Sequence, residues 1–585
     1  MNMGMKWLTI GLCIIGIPLK GFGEKTIFGT RSQGFNAVRE LAGWQRHINR
    51  PDQDANYFTL SVVPEYDRSF HGDNIACFLL GGTQFKFSGS QVPDRGPSDI
   101  LADYFGLPSD FVSTVYFNPT IVNFVMDFDC FIGLDGFVRG LYARIHFPLA
   151  HTKWDLNLCE CITDAGTTFT SYPAGYLSAN TILLTQLTVG PSAPTNVQIA
   201  FEGNSRFGDM QDQLKFGKIW GRQNDLRVAD LTLVLGYNFL LSDWYHFGLN
   251  IRTSAPTGTL RKAEFLFEPI AGNDHHWELG GGLSTHVDFW KDEDTQRKIG
   301  FYVDANITHL FDSTQKRSFD LCTTTSVCCT SAGSRYMLLE QLASPAVALN
   351  VGLAPNNQPA PNQYIGRLLP AINITTVDAT ISVGMQADVV AKLYYQHRGF
   401  EFDIGYDFWA RSKEKLSSRC CIPDGFALKG DAQVYGFTAS GQAVALNATQ
   451  DGATINAGQG AGNFVTGVAF TNANADNPNN ASDNLGTALF NLTAGDAATF
   501  HVTQQAVQTS SPAILISNND IDECSALLPR ALSNKIFSYI GYTRERAGVV
   551  PYMGVGTFVE WAHTSIKHNS AYSQWGVWFK GGLSY

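Results

Sequence analysis

The chain has 585 residues, with 41 Lys and Arg against 52 Asp and Glu, a formal charge of −11. Only 16% of residues are charged while 44% are hydrophobic and 12% aromatic, against about 25% charged in an average soluble domain. So much apolar residue excludes a disordered chain, and an acidic balance without basic blocks excludes nucleic acid as the main partner.

Residues 1–23 read as a secretory signal peptide. Lys6 supplies the positive charge, Trp7–Leu19 the apolar core and Gly21-Phe22-Gly23 the small residues at −3 and −1, with cleavage expected before Glu24. The apolar run is shorter than the ~20 residues a spanning helix needs, and no later segment is long enough either. Residues 24–56 are polar and short, a periplasmic N-terminal segment or a small plug.

From residue 57 onward a period of two dominates. Phe58, Leu60 and Val62 alternate with Thr59, Ser61 and Val63; residues 57–66 and 75–87 are both candidates for the first outward strand. Phe137, Leu141, Ala143, Ile145 and Phe147 form a weaker set, interrupted by Arg139. Leu231, Leu233, Leu235, Tyr237 and Phe239 pair across a tight turn with Tyr245, Phe247, Leu249 and Ile251. Trp277, Leu279, Leu283 and Val287 pair with Ile299, Phe301, Val303, Ala305 and Ile307 across the charged turn at 291–294. Ile381, Val383, Met385, Ala387, Val389, Ala391 and Leu393 pair with Phe400, Phe402, Ile404, Tyr406 and Phe408 across His397-Arg398-Gly399. Alternate side chains of a strand point to opposite faces, so each hairpin is apolar on one side and polar on the other. Gly280-Gly281-Gly282 lies mid-strand and has no context of a phosphate loop.

The last strand is the clearest. Trp575, Val577, Phe579, Gly581, Leu583 and Tyr585 occupy alternate positions, with small or polar residues and Trp578 between them. This ending, with the export signal and the serial amphipathic hairpins, resembles bacterial outer-membrane β-barrel proteins of the porin or major outer-membrane protein type. The resemblance implies a terminal strand read by the barrel-assembly machinery, carried here by Trp575, Val577, Phe579, Leu583 and Tyr585.

An open sheet edge is untenable in hydrocarbon, because each unpaired backbone group there costs several kcal/mol. The expected fold is therefore all-β: one closed antiparallel transmembrane barrel spanning 57–585, with an even number of strands, twelve by direct count and within 12–16. If Tyr585 ends on the periplasmic side, the turns at 132–136, 241–243, 290–298 and 397–399 all become periplasmic, and all are short. The stretches 150–227, 256–276, 312–378 and 412–532 then become external, and all are long. That asymmetry is the one outer-membrane barrels display. Within 412–532, the Ala/Asn/Gly/Thr-rich stretch 440–515 reads as a disordered or β-rich cap, and Val434–Phe437 as strand-like outside the wall.

The polar faces define candidate lumen-lining residues: Arg252, His276, Glu278, His286, Asp288, Asp304, Lys392, Glu401, Asp403, Asp407 and Arg411. Asp230, Asp388, Arg144 and Lys580 lie on the same faces. Charges of both signs suit water and small solutes, and their acidic excess suits cations. The leading expectation is a porin-like diffusion channel for small hydrophilic solutes or ions. The alternatives are a plugged barrel that transports a hydrophobic substrate and a disulfide-linked structural or adhesive surface protein. No catalytic set, cofactor or metal is expected; His276, Glu278, His286 and Asp288 share a face, yet positions so spread along one strand diverge. Ten cysteines remain beyond Cys13, several of them close together: Cys159 with Cys161, Cys322 with Cys328 and Cys329, Cys420 with Cys421. After export they read as disulfides rather than metal ligands. Outer-membrane lipid is the expected surrounding partner, and a homo-oligomer is compatible with the sequence.

Overall fold

The structure is a computed structural model. It describes residues 25–51, 55–89, 92, 98–108, 110–166, 193–322, 333–342, 364–429, 435–437, 443–445, 515–544, 548–562 and 569–585. The expected signal peptide and nearly all of 440–515 lie outside the described residues.

Twelve strands form a closed wall: β1 (Tyr57–Ser69), β2 (Thr120–Gly133), β3 (Leu141–Asp155), β4 (Leu231–Leu241), β5 (Tyr245–Ala255), β6 (Glu278–Asp292), β7 (Arg297–Ser318), β8 (Thr376–His397), β9 (Phe400–Arg411), β10 (Ala531–Thr543), β11 (Val550–Trp561) and β12 (Gln574–Ser584). Each pairs antiparallel with its neighbour in the chain, and β1 pairs with β12 from Thr59↔Ser584 to Ser69↔Gln574, so no edge remains in the ring. The joins at one end are short, 398–399 and 242–244 among them, and those at the other end are long. The expected loop parity therefore holds throughout the wall.

The apolar stripes face outward. From Leu231 to Phe239, from Tyr245 to Ile251 and from Phe400 to Phe408, no outward position carries a charge, and these side chains are exposed or half-exposed while their alternates are buried or half-buried. In water such a belt would be prohibitive; against acyl chains it is the favourable surface. Trp575, Val577, Phe579, Leu583 and Tyr585 all lie on this outer face. No described helix is long and apolar enough to cross a membrane, and none is needed. The chain is an outer-membrane-type β-barrel.

Two details of the strand assignment differ from the sequence reading. Residues 75–87 contain no wall strand. Gly72–Leu80 is a helix, with Ile75, Phe78 and Leu79 at i, i+3 and i+4 buried in the outer cap, stopped by Gly81 at φ 81. Arg139 does not interrupt a strand, because it lies in the periplasmic turn before β3.

β7 and β8 run for 22 residues each, about twice what crosses the apolar layer, and carry the wall beyond the membrane. There Arg222–Val228 adds to the outer half of β3, and Glu414–Arg419 to the outer half of β8. Above them the cap holds one large apolar cluster in which Phe28, Phe78, Phe105, Phe201 and Tyr336 meet. Tyr435–Phe437 pairs with Ala443–Ala445 outside the wall. Of the cysteines expected as disulfides, Cys322 and Cys524 are disulfide-bonded, whereas Cys159, Cys161, Cys420 and Cys421 are free thiols. For Cys159 and Cys161 the reason is local: alternate strand residues sit ~6.6 Å apart with parallel Cβ vectors, beyond the ~3.5–4.5 Å a disulfide requires.

Candidate functional site

Eight strands suffice to fill a barrel with their own side chains, and sixteen leave a channel. Twelve leave a space that something else must fill, and here it is the chain's own N-terminal segment. Of the two alternatives for 24–56, the described stretch 25–51 follows the plug and not the periplasmic segment: it enters the lumen from the outer cap, where the Thr26 N–H donates to Ser525 O at 3.0 Å. It descends through a short helix, α1 (Ala37–Leu41). It leaves at the periplasmic end, where Thr59 Oγ1 donates to the His47 carbonyl at 2.8 Å.

Side-chain bonds hold it at each level. Arg31 is bonded to Asp388 at 2.5 Å and Asp407 at 2.8 Å, with Lys535 3.6 Å from Asp407 and 3.5 Å from Glu560. Lower down, Arg39 reaches Asp127 at 2.6 Å and Glu65 at 3.2 Å, and Glu40 reaches Arg144 at 2.9 Å. Two wall lysines close the end of α1: Lys580 Nζ donates to the carbonyls of Glu40 and Ala42 at 3.0 and 2.8 Å, and Lys392 Nζ to that of Leu41 at 3.1 Å. Cations at the last carbonyls of a helix are favourable in charge and in hydrogen bonding. At Gly43, with φ +70, the N–H donates to Asp403 at 2.8 Å and a Cβ would stand 2.3 Å from the Tyr539 ring, so only glycine fits. Trp44 Nε1 donates to Tyr552 Oη at 2.7 Å.

Five of the eleven residues picked from the polar faces contact this plug. Asp407, Asp403 and Lys392 bind it directly, Lys392 also pairing with Asp403 at 2.8 Å, and Glu401 is bonded to Gln45. The Arg252 guanidinium lies over the Phe35 ring at 5.2 Å. The others bond within the wall or cap. Glu278 accepts from Gln386 and Thr308, Asp288 pairs with Lys298 at 2.6 Å, and Asp304 accepts from Asn306 at 2.6 Å. His286 meets His246, Arg411 lies 3.5 Å from Glu414, and His276, just ahead of β6, contacts the Phe311 carbonyl at 2.6 Å. Arg31, Arg39 and Glu40 are missing from the sequence reading because residues 24–56 carry no periodicity to aim them. Their one signal is the surplus of inward acids on the strands. Between plug and wall remains a polar cavity of about 30 Å³, lined by Glu40, Arg144, Arg252, Asp304 and Tyr302, room for about two waters.

A larger recess of about 230 Å³ opens at the outer rim between β3 and the cap. Trp154, Leu156, Ile219, Phe265 and Phe267 line its apolar wall, Trp220 stands at the mouth, and Gln198, Gln223 and Lys218 supply polar atoms. Trp220 is 55% exposed whereas Trp154 and Phe267 are buried, so the recess has a fixed floor and an open lip. Lys218 Nζ is 3.3 Å from Glu264.

Elsewhere in the cap, Asp320 and Asp522 face each other on adjacent strands. Burial, and then the charge of Asp320, push the Asp522 carboxyl up to about 6. Asp320 itself is raised by burial, against the pull of Arg335. Burial also pushes Glu340 up to about 8. The described residues contain no group of three metal-ligating side chains.

No protein-family profile matches the sequence, and no curated protein does. Among solved structures, an outer membrane channel from Pseudomonas putida F1 is 10% identical, over 90% of this chain and 95% of that one, with a TM-score of 0.28. A Pseudomonas aeruginosa FadL homologue is 7% identical over 96% and 99%, TM-score 0.27. The Pseudomonas putida toluene transporter TodX is 8% identical over 97% and 98%, TM-score 0.27. Likeness this slight carries no argument about what the barrel does.

Proposed function

We propose that the protein is a plugged outer-membrane channel that admits small apolar molecules from outside, rather than an open porin for hydrophilic solutes. The observation that carries this reading is the lumen. Segment 25–50 occupies it from cap to periplasmic end, and the inward charges that would have selected ions are bonded to the plug or to neighbouring side chains of the wall and cap. A sugar or hydrated ion has no continuous polar path past Arg31 and Arg39. The aromatic recess at the outer rim offers what a porin mouth does not: an apolar floor of Trp154 and Phe267 beside a few polar atoms, the usual make-up of a small-molecule site. The chain would act without chemistry of its own, as a channel and not an enzyme.

Two measurements test it. Expressed in a bacterial outer membrane, the protein should speed entry of the apolar fluorophore N-phenylnaphthylamine, and Trp220→Ala with Phe267→Ala should remove most of the gain. Reconstituted in liposomes, the native protein should give no sugar-driven swelling. Swelling at porin rates, or fluorophore entry unchanged by the protein, overturns the proposal.

A further inference from the structure

The lipid-facing belt ends at one place in a matched pair of cations. On β1 no outward position from Phe58 to Tyr66 is Asp, Glu, Lys or Arg, and the first outward charge is Arg68. On β3 the same holds from Leu141 to His151, and the first outward charge is Lys153. The two strands flank β2, and register puts both cations on one row: Arg68 lies opposite Val122, and Val122 opposite Lys153. Their Cα atoms are therefore two strand spacings apart, about 9.5 Å, and both long side chains can converge over the short side chain of Val122. Arg68 is exposed and Lys153 half-buried, and among the described residues neither has an ion-pair partner. Arg68 stands eleven residues above Tyr57, about the length of strand that crosses the apolar layer. Trp575 neighbours Arg68 on the other side and touches Tyr66, with ring centroids 5.9 Å apart, as an interfacial girdle should.

We propose that Arg68 and Lys153 form a binding site for the phosphate of an outer-leaflet lipid, whose acyl chains lie down the apolar face below them. Charge complementarity assigns the headgroup, and the unbroken apolar surface beneath assigns a lipid rather than a free anion. A phosphate between two strands brings Arg geometry and Lys charge to bear together.

The test is native mass spectrometry of the full chain, released from detergent, titrated with diphosphoryl lipid A. The expected result is one retained lipid per barrel, and about 30-fold weaker retention in Arg68→Gln/Lys153→Gln, from the roughly fivefold effect of each basic residue at a lipid surface. Dephosphorylated lipid A should bind the native chain no better than the phosphorylated lipid binds the double variant. Arg139→Gln, in a periplasmic turn, should change nothing. Both altered residues point out of the wall, and the gel shift between folded and heated protein checks that the variants are assembled. Unchanged retention in the double variant overturns the proposal. So does displacement of the lipid by inorganic phosphate at equal concentration, which would make this a site for a free anion.

Discussion

Replacing Arg39 by Met tests what keeps the lumen shut. The guanidinium is buried and bonded to Asp127 at 2.6 Å and Glu65 at 3.2 Å. Methionine matches much of its length but leaves both carboxylates without their cation. Asp127 retains His146 Nε2 at 2.7 Å; Glu65, one oxygen of which already lacks a hydrogen-bond partner, does not recover. Removing one partner of a buried ion pair costs about 3–5 kcal/mol, because the remaining charge is stranded. If that cost falls on the plugged state and is relieved when the segment withdraws and water enters, the open population rises by two to almost four decades. Single-channel recording in planar bilayers reads this directly: the native protein stays closed with rare openings, and Arg39→Met opens frequently. Adding Glu65→Gln, which removes the stranded charge, should restore closure in part. An opening probability unchanged within a factor of two in folded Arg39→Met would refute the view that these pairs hold the plug.

Three further outcomes are expected. A carboxyl raised on folding keeps its proton longer in the folded cap, so with Asp522 near 6 against about 3.9 unfolded, the cap gains stability as pH falls from about 6 to about 4 and loses it as pH rises. The share of Asp522 in this gain is at most about 3 kcal/mol; limited proteolysis should be slower at pH 5 than at pH 7, and Asp522→Asn should narrow the difference, the remainder belonging to Glu340, raised to about 8. Phe402→Lys places a charge in the outward belt of β9 and should destabilise the barrel by about 2–4 kcal/mol, read as a lower unfolding midpoint in urea with lipid vesicles. Gly556→Val sets a side chain where even a Cβ would stand 2.2 Å from the Trp578 ring; an overpacking cost of about 1–3 kcal/mol should lower the thermal midpoint without changing the belt.

Strand identity, facing and the inner-outer polarity of the loops are written locally. A residue two positions along lands on the same face whatever the rest of the chain does, so Phe400 to Phe408 could be assigned to lipid and Glu401 to Asp407 to the lumen by counting alone. The same holds for the terminal strand through Tyr585. That the strand number is even also followed from turn parity, because antiparallel strands must return to the side from which they left; within the expected 12–16, the closed ring fixes it at twelve. Residues 75–87 misled for a related reason: a short apolar run fits either period until its surroundings choose, and the cap chose a helix to Leu80 and a short strand of a separate sheet from Gln84.

What fills the barrel is a long-range matter. Arg31 meets Asp407 across 376 positions and Lys580 meets Ala42 across 538, and no periodicity links residues so far apart. The inward acids looked like a selectivity lining because their cations lie in an aperiodic segment that only closure of the ring brings inside. Alternation decides that a charge points into the lumen; the three-dimensional path of the N-terminal segment decides whether it meets water or an arginine.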